Sequence, residues 1–439
     1  MGLKDFRIAF DNQWSTYYPG QTVTGNIVVA LDSTKKIRGI SVTAKGEANT
    51  CWTTDKQEMD ENGQYREGTQ TVTAHEEYFK TKYYLIGSSS GKSKVLRCTV
   101  IFLRSITSLG PLKYIITQVC TRIFSSGGEI EIQSGEHKFP FACSLPLHLP
   151  SSFESDFGHI RYIVKATLDR PWKFDQDVKS PFTVIAPLDL NTEPKAAESV
   201  RQEMSKTFCC LCCATPPLTV NFALPARGYV PGQSMPIKIN VENSSNVVVN
   251  AVKLALYKIV TLRATTPHTD TKTEETVVTE VSKGPIERGE IADYEQHLDI
   301  PPTPPSNLAQ CGIIDLEYNL KVEARVEGWY HMNLSDKTLI FVGTVPLAAY
   351  HAPTAPPPQV DGGYPATKPP EAGFVVPSAD TALPPIPESH LYPNLPPPSY
   401  EESVHGARSI RERGESEHVY GLANRFAPRY PMYNFTSAQ

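Results

Sequence analysis

The residues with the sharpest chemical meaning are Leu395-Pro396-Pro397-Pro398-Ser399-Tyr400-Glu401-Glu402. Consecutive prolines fix φ and pre-form a polyproline II ridge, so little ordering entropy remains to be lost on docking. Such a ridge fits between the aromatic side chains of a WW domain. Pro397 and Pro398 would occupy the groove, and Tyr400 would anchor in a second pocket. The Pro-Pro-x-Tyr motif occurs once, so it binds without the effective-concentration gain of a second copy. A phosphate on Tyr400 would put charge where a buried phenol is required. A second cluster, Pro353-Thr354-Ala355-Pro356, matches the P-[TS]-A-P pattern read by an extended groove on the ESCRT-I subunit of the sorting machinery. Both short motifs also arise by chance in proline-rich sequence, and for the second that alternative stays open.

The third cluster is Cys209-Cys210-Leu211-Cys212-Cys213. Adjacent cysteines cannot easily turn both thiolates into one zinc tetrahedron, for which the usual spacing is Cys-x₂₋₄-Cys. Palmitoylation at a domain junction is the better functional reading. The plain alternative is a set of small apolar residues in a linker or first strand. Catalytic constellations are missing: the sequence has no glycine-rich phosphate loop, no His-Glu-x-x-His and no Gly-x-Ser-x-Gly. The eleven histidines are scattered and not grouped at ligand spacing. These patterns predict a non-enzymatic protein with no cofactor and no metal.

Net charge is −5, from 42 basic and 47 acidic side chains, which gives no general field for nucleic acid or anionic lipid. Met1 to Phe6 has no apolar core of signal-peptide length, and Phe6 stands where myristoylation wants Ser or Thr. The apolar stretch Thr99 to Phe124 is broken by Arg104, Gly110-Pro111, Lys113 and Arg122, each ion costing about 2.5–3.5 kcal/mol at a bilayer centre. Nine cysteines, an odd count, suit reduced thiols. A cytoplasmic location is expected.

The elements that must position these motifs are strands. Ile314 to Arg325 alternates apolar and polar residues without a fault, the mark of a strand with one face buried. Ile160, Tyr162, Val164, Ala166 and Leu168 alternate likewise, as do Ile27/Val29/Leu31, Ile40/Val42/Ala44, Ile237/Ile239/Val241 and Val252/Leu254/Leu256. No segment of comparable length carries a helical stripe. Tyr17-Tyr18-Pro19-Gly20-Gln21 and Tyr229-Val230-Pro231-Gly232-Gln233 share the pattern Tyr-x-Pro-Gly-Gln. Proline at i+1 and glycine at i+2 predict a type II turn. Strand alternation follows each copy, so the fold class is all-β: two tandem antiparallel β-sandwiches. The expected boundaries are a first sandwich over 1–190, a linker over 191–215 and a second sandwich over 216–347. From 348 to 439 recurrent proline pairs and sparse aliphatics predict a disordered, proline-rich tail.

Several motifs together resemble a known family. Besides the Tyr-x-Pro-Gly-Gln turn, these are Ser134-Gly135-Glu136-His137-Lys138-Phe139-Pro140-Phe141, Ser152-Phe153-Glu154, Gly158 to Ala166, and Asp169-Arg170-Pro171-Trp172. In the second half they are Cys311-Gly312-Ile313-Ile314 and Phe341-Val342-Gly343-Thr344-Val345-Pro346. In this order they are similar to the arrestin N- and C-terminal domains, and with the proline-rich tail the match is to the α-arrestins. The resemblance implies an adaptor. Its sandwiches would recognise a membrane receptor or transporter as cargo, and its tail would recruit a Nedd4-like HECT ubiquitin ligase through Tyr400. Ubiquitination, endocytosis and endosomal sorting would follow at the plasma membrane and endosomes, with peripheral membrane association through the cargo. One α-arrestin branch pairs Pro-Pro-x-Tyr with the ESCRT-I motif in vesicle budding. A coat or retromer-like component is the rival within the same fold class. Residues 88–132 depart from the family pattern: either an insertion that packs on the sandwich as a helix, or a gene-model artefact.

Overall fold

The computed structural model describes residues 2–59, 65–87, 96–103, 115–122, 129–210, 213–214, 216–328 and 332–348; near the C-terminus it describes 410–411, 415, 418–421 and 426–433. Among these the only helical pieces are two short 3₁₀ turns, Leu190–Thr192 and Pro194–Ala197. The first half contains β1 (Leu3–Phe10), β2 (Thr16–Tyr17), β3 (Thr22–Leu31), β4 (Lys35–Ile37), β5 (Gly39–Met59), β6 (Tyr65–Gly87), β7 (Leu96–Leu103), β8 (Ile115–Arg122), β9 (Ile130–Ile132), β10 (Gly135–Ser144), β11 (Phe153–Glu154), β12 (Gly158–Asp169) and β13 (Gln176–Val184). The second half contains β14 (Val200–Lys206), β15 (Cys209–Cys210), β16 (Cys213–Ala214), β17 (Leu218–Leu224), β18 (Gly228–Tyr229), β19 (Ser234–Asn243), β20 (Val249–Ala264), β21 (Asp270–Lys283), β22 (Ile291–Asp299), β23 (Ile314–Val326) and β24 (Leu334–Val342), and near the C-terminus lies β25 (Val419–Tyr420).

The duplication read from the two turn motifs extends to the sheets. The larger N-terminal sheet runs β2-β13-β12-β5-β6, and its C-terminal counterpart runs β18-β24-β23-β20-β21. Facing them are β1-β3-β10 in the first sandwich and β14-β17-β19-β22 in the second. Every alternating segment named above is a strand, with its apolar set inward. Along β23 the residues Ile314, Leu316, Tyr318, Leu320, Val322 and Ala324 are wholly buried. One continuous apolar cluster runs through both sandwiches.

The Tyr-x-Pro-Gly-Gln turns fold alike, and the reason extends beyond the proline and glycine. Gly20 and Gly232 sit at φ 83° and 91°, a region that L side chains rarely adopt. The Gln21 amide donates to the Tyr18 carbonyl at 3.1 Å, and the Gln233 amide to that of Val230 at 3.0 Å. In each turn the glutamine Oε1 accepts the amide at the turn's start, Tyr18 N–H at 2.9 Å and Val230 N–H at 2.8 Å. The glutamine therefore closes the turn from its other side. A second repeated device was not legible as a motif. Tyr162 donates to the Pro150 carbonyl at 2.7 Å, and Tyr318 donates to the Pro304 carbonyl at 2.7 Å. Both are tyrosine corners, phenols that reach back to backbone upstream of their own strand. Two residues after each proline, Ser152 and Ser306 clamp the closing strand. Ser152 Oγ accepts Val184 N–H at 2.9 Å, and Ser306 Oγ accepts Val342 N–H at 2.8 Å.

Within the segment 191–215 read as a linker, Val200–Lys206 forms a strand paired to β17 from Val200↔Leu224 to Lys206↔Leu218. Within 88–132 the described residues form strands and no helix: β7 pairs with β8 as a hairpin, and β9 pairs with β4. The tail expectation over 348–439 lies mostly outside the described residues; of those described there, Ile410, Phe426 and Tyr430 are buried.

Candidate interaction surfaces

The sandwiches meet along the long β5–β6 hairpin, which reaches beyond its own domain. Thr50 Oγ1 donates to the Arg263 carbonyl at 2.7 Å, and Trp52 Nε1 donates to Asp270 Oδ2 at 2.9 Å. Thr73 forms an antiparallel bridge to Thr266. The Gly312 amide donates to both carboxylate oxygens of Glu76, at 3.1 and 3.0 Å. Lys272 Nζ lies 4.1 Å from the Phe157 ring centroid, a cation–π contact across the same boundary. On the linker side Leu188 N–H donates to Thr344 Oγ1 at 2.7 Å, and Leu190 packs against Ala196, Ala226, Val230 and Leu347. A Cβ on Gly343 would meet the Leu190 side chain at 2.5 Å, so this close approach requires glycine. The sequences around Gly312 and Gly343 therefore belong to the contact that fixes one sandwich against the other.

A polar ladder crosses the outer face of the N-terminal sheet. Arg161 forks onto Glu154 at 2.6 and 2.8 Å, with both side chains largely buried. Burial pushes the Glu154 carboxyl above the usual range, and the Arg161 guanidinium offsets only part of that rise. On the neighbouring strand burial also acts to raise Glu47. There the bonds from Lys45, at 2.5 Å, and His75, at 2.8 Å, prevail and hold it below the usual range. Burial, reinforced by Arg161, pushes His159 down to about 3, so its ring is neutral at physiological pH. The ladder continues through Lys165, which pairs with Asp177 at 2.7 Å, to Lys179 on β13.

The outer face of β14-β17-β19-β22 carries a groove of about 720 Å³. Arg201, Glu203, Asn221, Lys238, Asn240 and Asp293 line it, and both signs of charge are present. Asn221 Nδ2 donates to Asn240 Oδ1 at 3.3 Å, and Asn240 Nδ2 to Asp293 Oδ1 at 2.8 Å. Inward, Phe222 and Ile239 on the same strands fill the core. Polar residues thus line a surface whose backbone is held rigid from behind.

Pro397, Pro398 and Tyr400, and likewise Pro353, Thr354, Ala355 and Pro356, lie outside the described residues. Of the cysteine cluster, Cys209 and Cys210 pair with Ala214 and Cys213 in the β15–β16 ladder, while Cys212 is outside the described residues. The cluster thus follows β14 in the chain, in a two-stranded ladder of its own. The polar groove residues were missed because in the sequence they read only as the solvent side of alternating strands. No helix among the described residues is long and apolar enough to cross a membrane.

Comparison with known proteins agrees with the architecture. The arrestin N-terminal domain matches residues 6–100 and 114–191, and the arrestin C-terminal domain matches residues 215–347. The gap between the two N-terminal matches falls inside the departing 88–132 segment. The chain is 27% identical over 477 residues to arrestin domain-containing protein 17 of Caenorhabditis elegans, covering 98% of this chain and 99% of the relative. It is 25% identical over 351 residues to arrestin domain-containing protein 4 of Mus musculus, covering 79% and 74%. To arrestin domain-containing protein 1 of Homo sapiens it is 31% identical over 251 residues, covering 56% and 54%. With two duplicated sandwiches, their interdomain motifs and these matches in one chain, the protein belongs to the α-arrestin family of trafficking adaptors.

Proposed function

We propose that this adaptor recruits a Nedd4-like HECT ubiquitin ligase to membrane cargo, with the sandwiches holding the receptor or transporter and Tyr400 holding a WW domain of the ligase. The observation that carries the reading is the covalent union of an arrestin sandwich pair with one Pro-Pro-x-Tyr motif, Pro397-Pro398-Ser399-Tyr400. The mechanism is tethering. Binding of cargo and ligase to one chain makes ubiquitin transfer effectively intramolecular, at a concentration set by the intervening chain. The adaptor itself does no chemistry in this reading. Its rigid interdomain contact and the polar groove on β14-β17-β19-β22 supply a preformed surface for a polar cargo segment. Pro353 to Pro356 would extend the role to ESCRT-I and vesicle budding, and acylation of Cys209, Cys210, Cys212 and Cys213 would hold the adaptor at the bilayer.

Pull-down of WW-domain ligases from lysate with the full chain tests the reading. Tyr400→Ala is expected to abolish capture, and undiminished capture would refute it. For the second motif, Pro353→Leu should end binding to the ESCRT-I subunit. For the cysteines, a four-serine chain should lose a hydroxylamine-sensitive acyl label.

A further inference from the structure

Strand β13 is an edge strand whose outer side has places for two short partners. Thr183 and Val184 pair in parallel with β2. Farther along the same edge, Asp177 and Val178 pair in parallel with Val419 and Tyr420 of β25. An unpaired edge presents main-chain donors and acceptors that can take an extended peptide as an added strand. In the second sandwich β18 takes the place of β2 on β24, and no described residue takes the place of β25.

The contacts around β25 are those of a seated peptide. Glu415 pairs with Lys179, which is only 5% exposed, so the tail brings an acid to a buried ammonium on the outer face of the sheet. His418 stacks on Phe174 at 5.7 Å, and its carbonyl accepts the Asp177 amide at 3.3 Å. Ile410 is fully buried. Farther on, Arg429 lies 5.2 Å from the Trp14 ring centroid, and its amide donates to Thr183 Oγ1 at 3.2 Å. Tyr430 donates to the Ser152 carbonyl at 3.0 Å, on the same residue that clamps β13 in the first sandwich. The chain then crosses to the second sandwich. Tyr433 N–H donates to the Pro231 carbonyl at 3.0 Å, and its hydroxyl donates to the Thr344 carbonyl at 2.7 Å. Its carbonyl lies over Gly232, where a Cβ would meet it at 2.0 Å.

We propose that the β13 edge and the path from it to the Pro231–Gly232 turn form a peptide-docking groove, and that its occupant is this chain's own C-terminal stretch, acting as a clasp between the two sandwiches. The chemistry of the occupant is specific: an extended strand, an acid for Lys179, and two phenols spaced to reach Ser152 on one domain and Thr344 on the other. The clasp reinforces the Leu188–Thr344 contact by holding Thr344 from its far side. It also returns the chain to the folded body beyond Tyr400, so the docking motif lies between two anchored points, Ala348 and Ile410. Ala348 is fixed by its amide, which donates to Asn191 Oδ1 at 2.8 Å. The clasp does not depend on the ligase reading; a failure of WW binding would leave it intact.

The test uses the full chain with a site-specific protease sequence inserted after Gly363. After cleavage the two parts are expected to co-elute on size exclusion at micromolar concentration. Retention should fall roughly two- to tenfold with Tyr430→Phe, which removes only a hydroxyl, and should be lost with Phe426→Asp. These positions lie outside both sandwich cores, and far-UV circular dichroism of each variant checks that the strands persist. In the uncut chain, Phe426→Asp should speed hydrogen exchange at the amides of Asp177 and Leu188. Separation of the two parts from the unsubstituted chain overturns the docking proposal, as does undiminished retention of Phe426→Asp. Unchanged exchange at Leu188 overturns the claim that the clasp steadies the interdomain contact.

Discussion

Tyr17 and Tyr162 are both buried phenols of the first sandwich, at 5% and 0% exposure, yet removal of their hydroxyls should have opposite consequences. Tyr162 donates to the Pro150 carbonyl at 2.7 Å, and its ring stacks near Phe79 at 6.2 Å. Tyr162→Phe keeps the stacking and deletes the bond, leaving a buried carbonyl without that donor. The cost of such a loss is about 1–3 kcal/mol. Tyr17 packs edge-on to Phe182 at 5.6 Å and to Phe10 at 6.3 Å, and among the described residues its hydroxyl has no hydrogen-bond partner. Burial pushes that phenol up to about 12. Tyr17→Phe deletes an uncompensated polar atom and should be neutral or stabilising by about 1 kcal/mol. At about 2–4 °C per kcal/mol for a domain of this size, Tyr162→Phe should lower the melting temperature by roughly 2–12 °C and Tyr17→Phe should not lower it. Differential scanning fluorimetry of the two full-length variants in parallel measures both. Equal losses would show that the corner bond does not set the cost of losing the hydroxyl, and would refute the reasoning. Tyr318→Phe supplies the internal repeat of the experiment, with a loss in the second sandwich to match that of Tyr162→Phe.

Gly20→Ala and Gly232→Ala should each destabilise by about 1–2 kcal/mol through left-handed backbone strain. Only the second should expose the Tyr433 amide, which hydrogen exchange reads directly. Trp52→Phe removes the donor to Asp270 and should cost about 1.5–3 kcal/mol of interdomain contact, seen as faster exchange at the Thr73 and Thr266 amides. His159 is held down to about 3 in the folded chain by burial and by Arg161. Its stabilising contribution is therefore present above about pH 6.5, the unfolded value, and is lost as pH falls from there toward 3. A His159→Asn chain should show a flatter loss of stability across that window in acid-unfolding curves.

Much of the fold was legible because a half-buried strand writes its burial into the sequence with period two. Ile314 to Arg325 and Ile160 to Leu168 could be read as strands, and their inward sets identified, without coordinates. The turn motif gave the duplication because φ above zero at Gly20 and Gly232 is a local steric demand. The strand Val200–Lys206 inside 191–215 was not legible because it is an edge strand: with only β17 and one core face to satisfy, its sequence carries weak alternation. In 88–132 the helical alternative failed for a related reason. An apolar stretch of that length does not declare its period until pairing partners are known, and here they are β7 with β8 and β9 with β4.

By itself the sequence determined the all-β class, the two copies of the sandwich and the Pro397-Pro398-Ser399-Tyr400 motif, since alternation, turn chemistry and polyproline II geometry are all local. Only the tertiary structure decided what long-range contacts decide. These are the phenols of Tyr162 and Tyr318 on their upstream prolines, the seat of Gly312 on Glu76, the choice of Glu415 as partner for Lys179, and the return of Tyr430 and Tyr433 to two different domains. Each joins residues far apart in the chain, and a hydrogen bond of that kind leaves no periodic trace in the sequence around either partner.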